Sequence, residues 1–188
     1  MSVRRAMIRR EAMKRIKDEK RKSPMGKLER ARNRGVSDGR TIAASVVFQI
    51  LHDKYSLTNS QIQKLYDFVN KESARLDDIG VKFVAEHYYD MFAERIDRVR
   101  VQQEYKSLEE EAYCRSRDNL YISTVAVILM CLNELWDYSS NSKNTGRLDF
   151  VMEYCSTRYL EFQLDPKNHT ADYYFNKMTR KTGYVIRI

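Results

Sequence analysis

Residues 119–136 read NLYISTVAVILMCLNELW, and this stretch decides the fold. It holds no Gly or Pro, and it is far longer than a typical strand. Its uninterrupted apolar run, Val125 to Leu132, falls well short of the roughly 18 residues that a membrane span needs. It therefore reads as the central helix of a helical body. Toward the C-terminus, the polar string SSNSKNTG at 139–146 reads as a loop. Leu148, Val151, Met152, Cys155, Tyr159 and Leu160 then recur at helical spacing, and Pro166 closes that helix. Residues 171–178 suggest one more short helix. Tyr184 to Ile188 is strand-like but too short to carry an element.

Toward the N-terminus, residues 81–113 carry a long periodic pattern through Val81, Val84, Tyr88, Met91, Phe92, Ile96 and Val99. It extends to Tyr105, Leu108 and Ala112, and Asp77-Asp78 stands in front of it as an N-cap. Before that, Thr58 and Gln61 have the spacing of a capping box. They introduce a helix whose inward residues are Ile62, Leu65, Tyr66 and Val69, with Ala74 or Leu76. TIAASVVFQILHDKY, from Thr41, is a further helix capped by Ser37 or Asp38. The string SPMGKLERARNRGVSDG ahead of it contains Pro24, Gly26, Gly35 and Gly39 and reads as a linker with room for one short basic turn of helix.

Only 6 Gly and 2 Pro occur in 188 residues. That is too little punctuation for a β-sandwich or barrel, which turns every 8–12 residues or so. The expected fold is all-α: a compact bundle of five or six helices with a basic N-terminal helical arm. The expected division is arm and linker over 1–36, helical body over 37–166 and basic aromatic tail over 167–188.

Charge is divided as sharply as structure. The net +8 hides fifteen Lys/Arg against five Asp/Glu in residues 1–40, a local +10, and a local +4 in residues 167–188. Residues 41–166 then carry −6. Such asymmetry points to nucleic acid or another polyanion. The arm places Arg4, Arg5, Arg9, Arg10, Lys14, Arg15, Lys17, Lys20, Arg21 and Lys22 within nineteen residues, and Arg30, Arg32 and Arg34 follow. Ile8, Ala12 and Ile16 make one thin apolar stripe, too narrow to bury a face. Arg-rich segments of this kind neutralise phosphates and order on RNA or DNA. The competing reading is a solubilising basic tail. A secondary basic cluster, Lys177, Arg180 and Lys181, stands beside Tyr173, Tyr174, Phe175 and Tyr184. Aromatic and cationic groups together suit unpaired bases, although such aromatics more often pack in a core.

Catalytic chemistry finds little support. The chain has no P-loop, GxGxxG, GxSxG, HExxH or EF-hand string. His52-Asp53 falls at a helix C-terminus, where an imidazole ordinarily meets free carbonyls. Glu86, His87 and Asp90 lie close on one helix but lack a converging partner cluster, so no metal and no cofactor are expected. Cys114, Cys131 and Cys155 form no CxxC pair, which fits a reducing, cytoplasmic setting. The arm has no apolar segment behind it and does not read as a signal peptide.

Two stretches echo one another. VVFQILHDKY, a polar turn and LYDFVNKESARL match VAVILMCLNELW, a polar turn and RLDFVMEYCSTRYL. Each reads as an αα-hairpin. Tandem duplication and convergent helix patterning both account for this.

The first hairpin, VVFQILHDKYSLTNSQIQKLYDFVN followed by LDDI, resembles a group of small helical proteins of tailed phages and mobile elements of low-GC Gram-positive bacteria. Leu51, His52, Asp53, Tyr55, Leu65, Val69, Asn70 and Asp78 carry the resemblance, within residues 42–80. It implies a phage or mobile-element context, where gene products act as regulators or as inhibitors of host defence. The combined expectation is a non-enzymatic protein in the host cytoplasm. It binds DNA, RNA or a ribonucleoprotein, as a regulator or an anti-CRISPR-like inhibitor of an RNA-guided nuclease. It would take no small-molecule substrate and enter no membrane. A protein–protein adaptor without nucleic-acid contact is the alternative, and an enzyme with a carboxylate/His site is a third reading.

Overall fold

The computed structural model describes residues 22–79, 85–137 and 146–184, with Arg10, Met13 and Lys14. Among these residues there are six α-helices and no strand: α1 Pro24–Tyr55, α2 Asn59–Ile79, α3 Glu86–Val99, α4 Leu108–Trp136, α5 Arg147–Leu164 and α6 Ala171–Thr182. The all-α bundle expected from the sequence is what forms.

The two longest helices, α1 and α4, lie side by side at the centre. Ser45 to Leu51 of α1 and Val125 to Leu132 of α4 are buried at every position. A helix buried all round has neighbours on every side. α1 packs on α4, α5 and α6, α4 packs also on α2 and α3, and α3 meets α5. Each fully buried Ile, Leu, Val or Phe stabilises the body by roughly 1.5–3 kcal/mol. Buried tyrosines keep their hydroxyls satisfied: Tyr121 donates to the Cys155 carbonyl at 2.8 Å, and Tyr174 to the Arg158 carbonyl at 3.3 Å. By length and composition α4 could cross a bilayer, its best window having a mean hydropathy of 1.4, but here it is the core helix of the body.

Four boundaries differ from the sequence reading. The expected linker before Thr41 is helix from Pro24 onward. Ser23, not Ser37 or Asp38, is the cap; its hydroxyl accepts from the Gly26 N–H at 3.1 Å, and Pro24 occupies the first turn, where its missing N–H costs nothing. Asp77-Asp78 does not start a helix, because α2 runs through both to Ile79. The pattern over 81–113 is not one helix: α3 ends at Val99, residues 100–107 are not helical, and Leu108 and Ala112 belong to α4. α4 accordingly starts eleven residues before Asn119, capped by Ser107, whose hydroxyl accepts from the Glu110 N–H at 3.1 Å. Glu109, Glu110 and Glu111 thus fill the first turn, where the helix dipole favours negative charge. The Thr58/Gln61 capping box is present: Thr58 N–H donates to Gln61 Oε1 at 2.9 Å and Gln61 N–H to Thr58 Oγ1 at 3.4 Å.

The glycines read as breakers sit inside α1 for a reason. A Cβ on Gly35 would stand 2.3 Å from the Tyr113 carbonyl oxygen, and one on Gly39 would stand 2.3 Å from that of Arg117. At these two points the backbones of α1 and α4 touch, and only glycine permits it. Gly35 meets 113–117 and Gly39 meets 117–120, so the helices run parallel.

Candidate nucleic-acid interface

The close approach at Gly35 and Gly39 makes the N-terminal half of α1 a rigid extension of the body. Lys27, Arg30, Arg32 and Arg34 are exposed along it, and Arg10, Lys14 and Lys22 are exposed before it. Lys27, Arg30 and Arg34 follow i, i+3, i+7 spacing and share one face, beside the contact with α4. Among the described residues, Lys27, Arg30 and Arg32 make no ion pair. Arg34 is held at its root: its Nε lies 3.6 Å from Asp38 Oδ2 and its guanidinium 5.5 Å from the centre of the Tyr113 ring. Tyr113 donates to the same carboxylate at 2.7 Å. Burial, and then the Asp38 carboxylate, push the Tyr113 hydroxyl up to about 12, so it remains a donor. The Arg34 side chain is nevertheless 78% exposed. Arg4, Arg5, Arg9, Arg15, Lys17, Lys20 and Arg21 lie outside the described residues.

The secondary basic cluster is on α6. Thr170 caps this helix, and Tyr174, Met178 and Thr182 are buried on its inner face. Arg180 is exposed. Lys177 donates to Tyr173 Oη at 3.3 Å and lies over the same ring. Lys181 differs from the other two: its Nζ sits 2.7 Å from Asp53 Oδ2, tying α6 to the end of α1. Burial raises the Asp53 carboxyl, but bonds from Lys181, His52 and Gln49 outweigh it and hold the group below its ordinary range. Lys181 is therefore neutralised locally, and Lys177 and Arg180 carry the free charge. Of the aromatics, Tyr174 and Tyr184 are buried and Phe175 is half-buried; Tyr173 is 37% exposed.

His52 Nδ1 lies 3.3 Å from Asp53 Oδ1, and the His52 carbonyl accepts the Ser56 N–H that closes α1. The pair is part of a helix terminus and of the Lys181 strut. His87 and Asp90 are exposed on α3. Among the described residues no three His, Cys, Asp or Glu side chains converge as metal ligands would.

One constellation escaped the sequence reading. Arg117 and Asp118 are 3% and 8% exposed and pair at 2.9 Å. Asp118 Oδ2 also accepts from Tyr159 Oη and Gln163 Nε2, both at 3.1 Å. Arg100 donates from Nε to Tyr159 Oη at 3.3 Å, and the Val101 N–H to Gln163 Oε1 at 3.2 Å. Burial disfavours the charged Arg117, but Asp118 more than restores it; the Tyr159 hydroxyl is pushed well up, first by burial and then by Asp118. This network floors a cavity of about 250 Å³ rimmed by Arg100, Tyr105, Arg115 and Asn119. Both rim arginines face acids, Arg100 Asp97 at 3.2 Å and Arg115 Glu111 at 2.6 Å, so the cavity offers no net positive charge to an anion. Its visible work is to lock the segment after α3 onto α4 and α5. An adjacent Arg-Asp pair at the polar entrance to an apolar helix was the only signal in the sequence.

The chain matches no protein-family model, no curated protein and no solved structure.

Proposed function

We propose that this chain is a non-enzymatic nucleic-acid-binding protein that engages phosphates through its basic N-terminal arm and the exposed cations of α1. The observation that supports this reading best is the set of three cations Lys27, Arg30 and Arg32, exposed on a helix fixed to the body and paired with no acid among the described residues. Cations that serve only solubility tend to be interspersed with acids, whereas this end of the chain carries a local +10. Lys177 and Arg180 add a second contact point. With the resemblance of residues 42–80 to phage and mobile-element proteins, the reading extends to a cytoplasmic regulator, or an inhibitor of an RNA-guided host nuclease that meets its nucleic acid.

The test is binding to duplex DNA and to structured RNA across a salt series. Affinity should fall steeply, by roughly 0.9 in log–log slope per phosphate neutralised on DNA. Because α1 starts at Pro24, the informative deletion is residues 1–21, which spares the Ser23 cap and the Gly35 contact. It should flatten the slope and leave the cooperative melting of the body intact. No shift with any nucleic acid at low salt would overturn the proposal. Nuclease-resistant capture of a single host protein would then support an adaptor.

A further inference from the structure

The echo between the two hairpins extends to a third helix. His87, Asp90, Phe92, Arg95, Ile96 and Arg98 of α3 are matched, each 82 positions on, by His169, Asp172, Tyr174, Lys177, Met178 and Arg180 around α6. The buried members correspond: Phe92 and Ile96 are 0% exposed, Tyr174 and Met178 1% and 0%. The central helices match at 81 positions, Leu51 with Leu132. They also end alike. Ser56 at φ 53° and Asp137 at φ 52° are the two non-glycine residues in the left-handed region among those described, and they too are 81 positions apart.

Packing repeats the same relation. Gly35 touches Ser116 and Gly39 touches Leu120, again 81 positions away, so α1 and α4 run parallel and level. Unrelated helices could pack at any register; two copies related by a two-fold axis along the helices must pack at the repeat distance. Two sets of helix pairs obey the exchange as well, whereas α3 on α5 has no counterpart of similar extent between α6 and α2. α6 on α1 corresponds to α3 on α4, and α5 on α1 corresponds to α2 on α4. Each of these pairs joins a helix of the first three to a helix of the last three.

We infer that the body is two copies of one three-helix unit, 24–99 and 108–182, interlocked about a pseudo-two-fold axis along the α1–α4 contact. Each unit is the other's docking partner. The second and third helices of a unit cover the first helix of its mate, as in a domain-swapped dimer whose protomers were joined. The copies differ where equal residues would collide: Gly35 and Gly39 correspond to Ser116 and Leu120, small on one side and large on the other. The inference stands whether or not the chain binds nucleic acid.

A protease site inserted after Glu104, in the non-helical connection, tests it in the full chain. Cut after folding, the two pieces should remain one particle of unchanged mass and helical signal. Phe92→Ala in the first piece and Tyr174→Ala in the second should weaken their association by similar factors, on the order of 100-fold, since each removes an equivalent anchor. If these variants do not fold, Phe92→Leu and Tyr174→Leu make the same comparison at smaller amplitude. Pieces that part while each stays helical would overturn the interlock. A large effect from one anchor and none from the other would overturn the equivalence.

Discussion

Gly39 packs its Cα face directly on the backbone of Arg117, with 2.3 Å between its would-be Cβ and the Arg117 carbonyl oxygen. Gly→Ala inside an exposed helix ordinarily gains about 1 kcal/mol. Here the sign reverses, because the obstacle is backbone and cannot rotate away. Gly39→Ala should cost about 2 kcal/mol or more in a urea melt, and Gly35→Ala should behave likewise. A stabilised Gly39→Ala protein would show that the α1–α4 contact is looser than described.

The Arg117–Asp118 pair is buried, so removing one partner leaves the other uncompensated. Asp118→Ala should destabilise the protein by about 3–5 kcal/mol. Adding Arg117→Met to that variant should recover part of the loss, since it removes the stranded charge. A double variant no more stable than Asp118→Ala would mean that the lost Tyr159 and Gln163 bonds, not the charge, set the cost.

The cations divide into free and engaged groups, which separates binding from stability. Arg30→Glu with Arg32→Glu should change stability by no more than about 0.5 kcal/mol while flattening the salt dependence of nucleic-acid binding. Lys181→Ala should do the opposite, leaving binding unchanged. Asp53 has its carboxyl depressed when folded, so its contribution is present above the ordinary carboxylate pKa and is lost as pH falls through the folded value. The stability gap between wild type and Lys181→Ala should therefore be constant above pH ~5 and close at lower pH. A gap independent of pH would remove the ion pair from the account.

The thiols report on core integrity. Burial raises Cys131 and Cys155 to about 12, whereas Cys114 is half-buried and less perturbed. At pH 8 an alkylating reagent should modify Cys114 first and reach the other two only on unfolding. Because both raised groups stay protonated when folded, their contribution is complete below the ordinary thiol pKa. It is lost as pH rises from ~8.5 toward 12, so alkali should destabilise the protein. Equal modification rates for all three would contradict the packing around α4.

The residue pattern alone determined what local chemistry can determine. The run from Val125 to Leu132 required a helix enclosed on all sides, and Thr58 with Gln61 marked a helix start because both halves of that cap lie within one turn. The charge division is likewise a property of the chain. Tertiary structure decided the rest. Gly35 and Gly39 read as breakers because, in an isolated chain, glycine costs helix; the carbonyls of Tyr113 and Arg117 pressing on them make glycine the residue that fits. The break after Val99 was hidden because the apolar spacing of α3 runs on into that of α4. Which cations remain free was also beyond the sequence, since Lys181 meets Asp53 across 128 residues and only packing brings them together. The repeat was visible as an echo, but its meaning lay in the register of α1 against α4, which is a distance between helices.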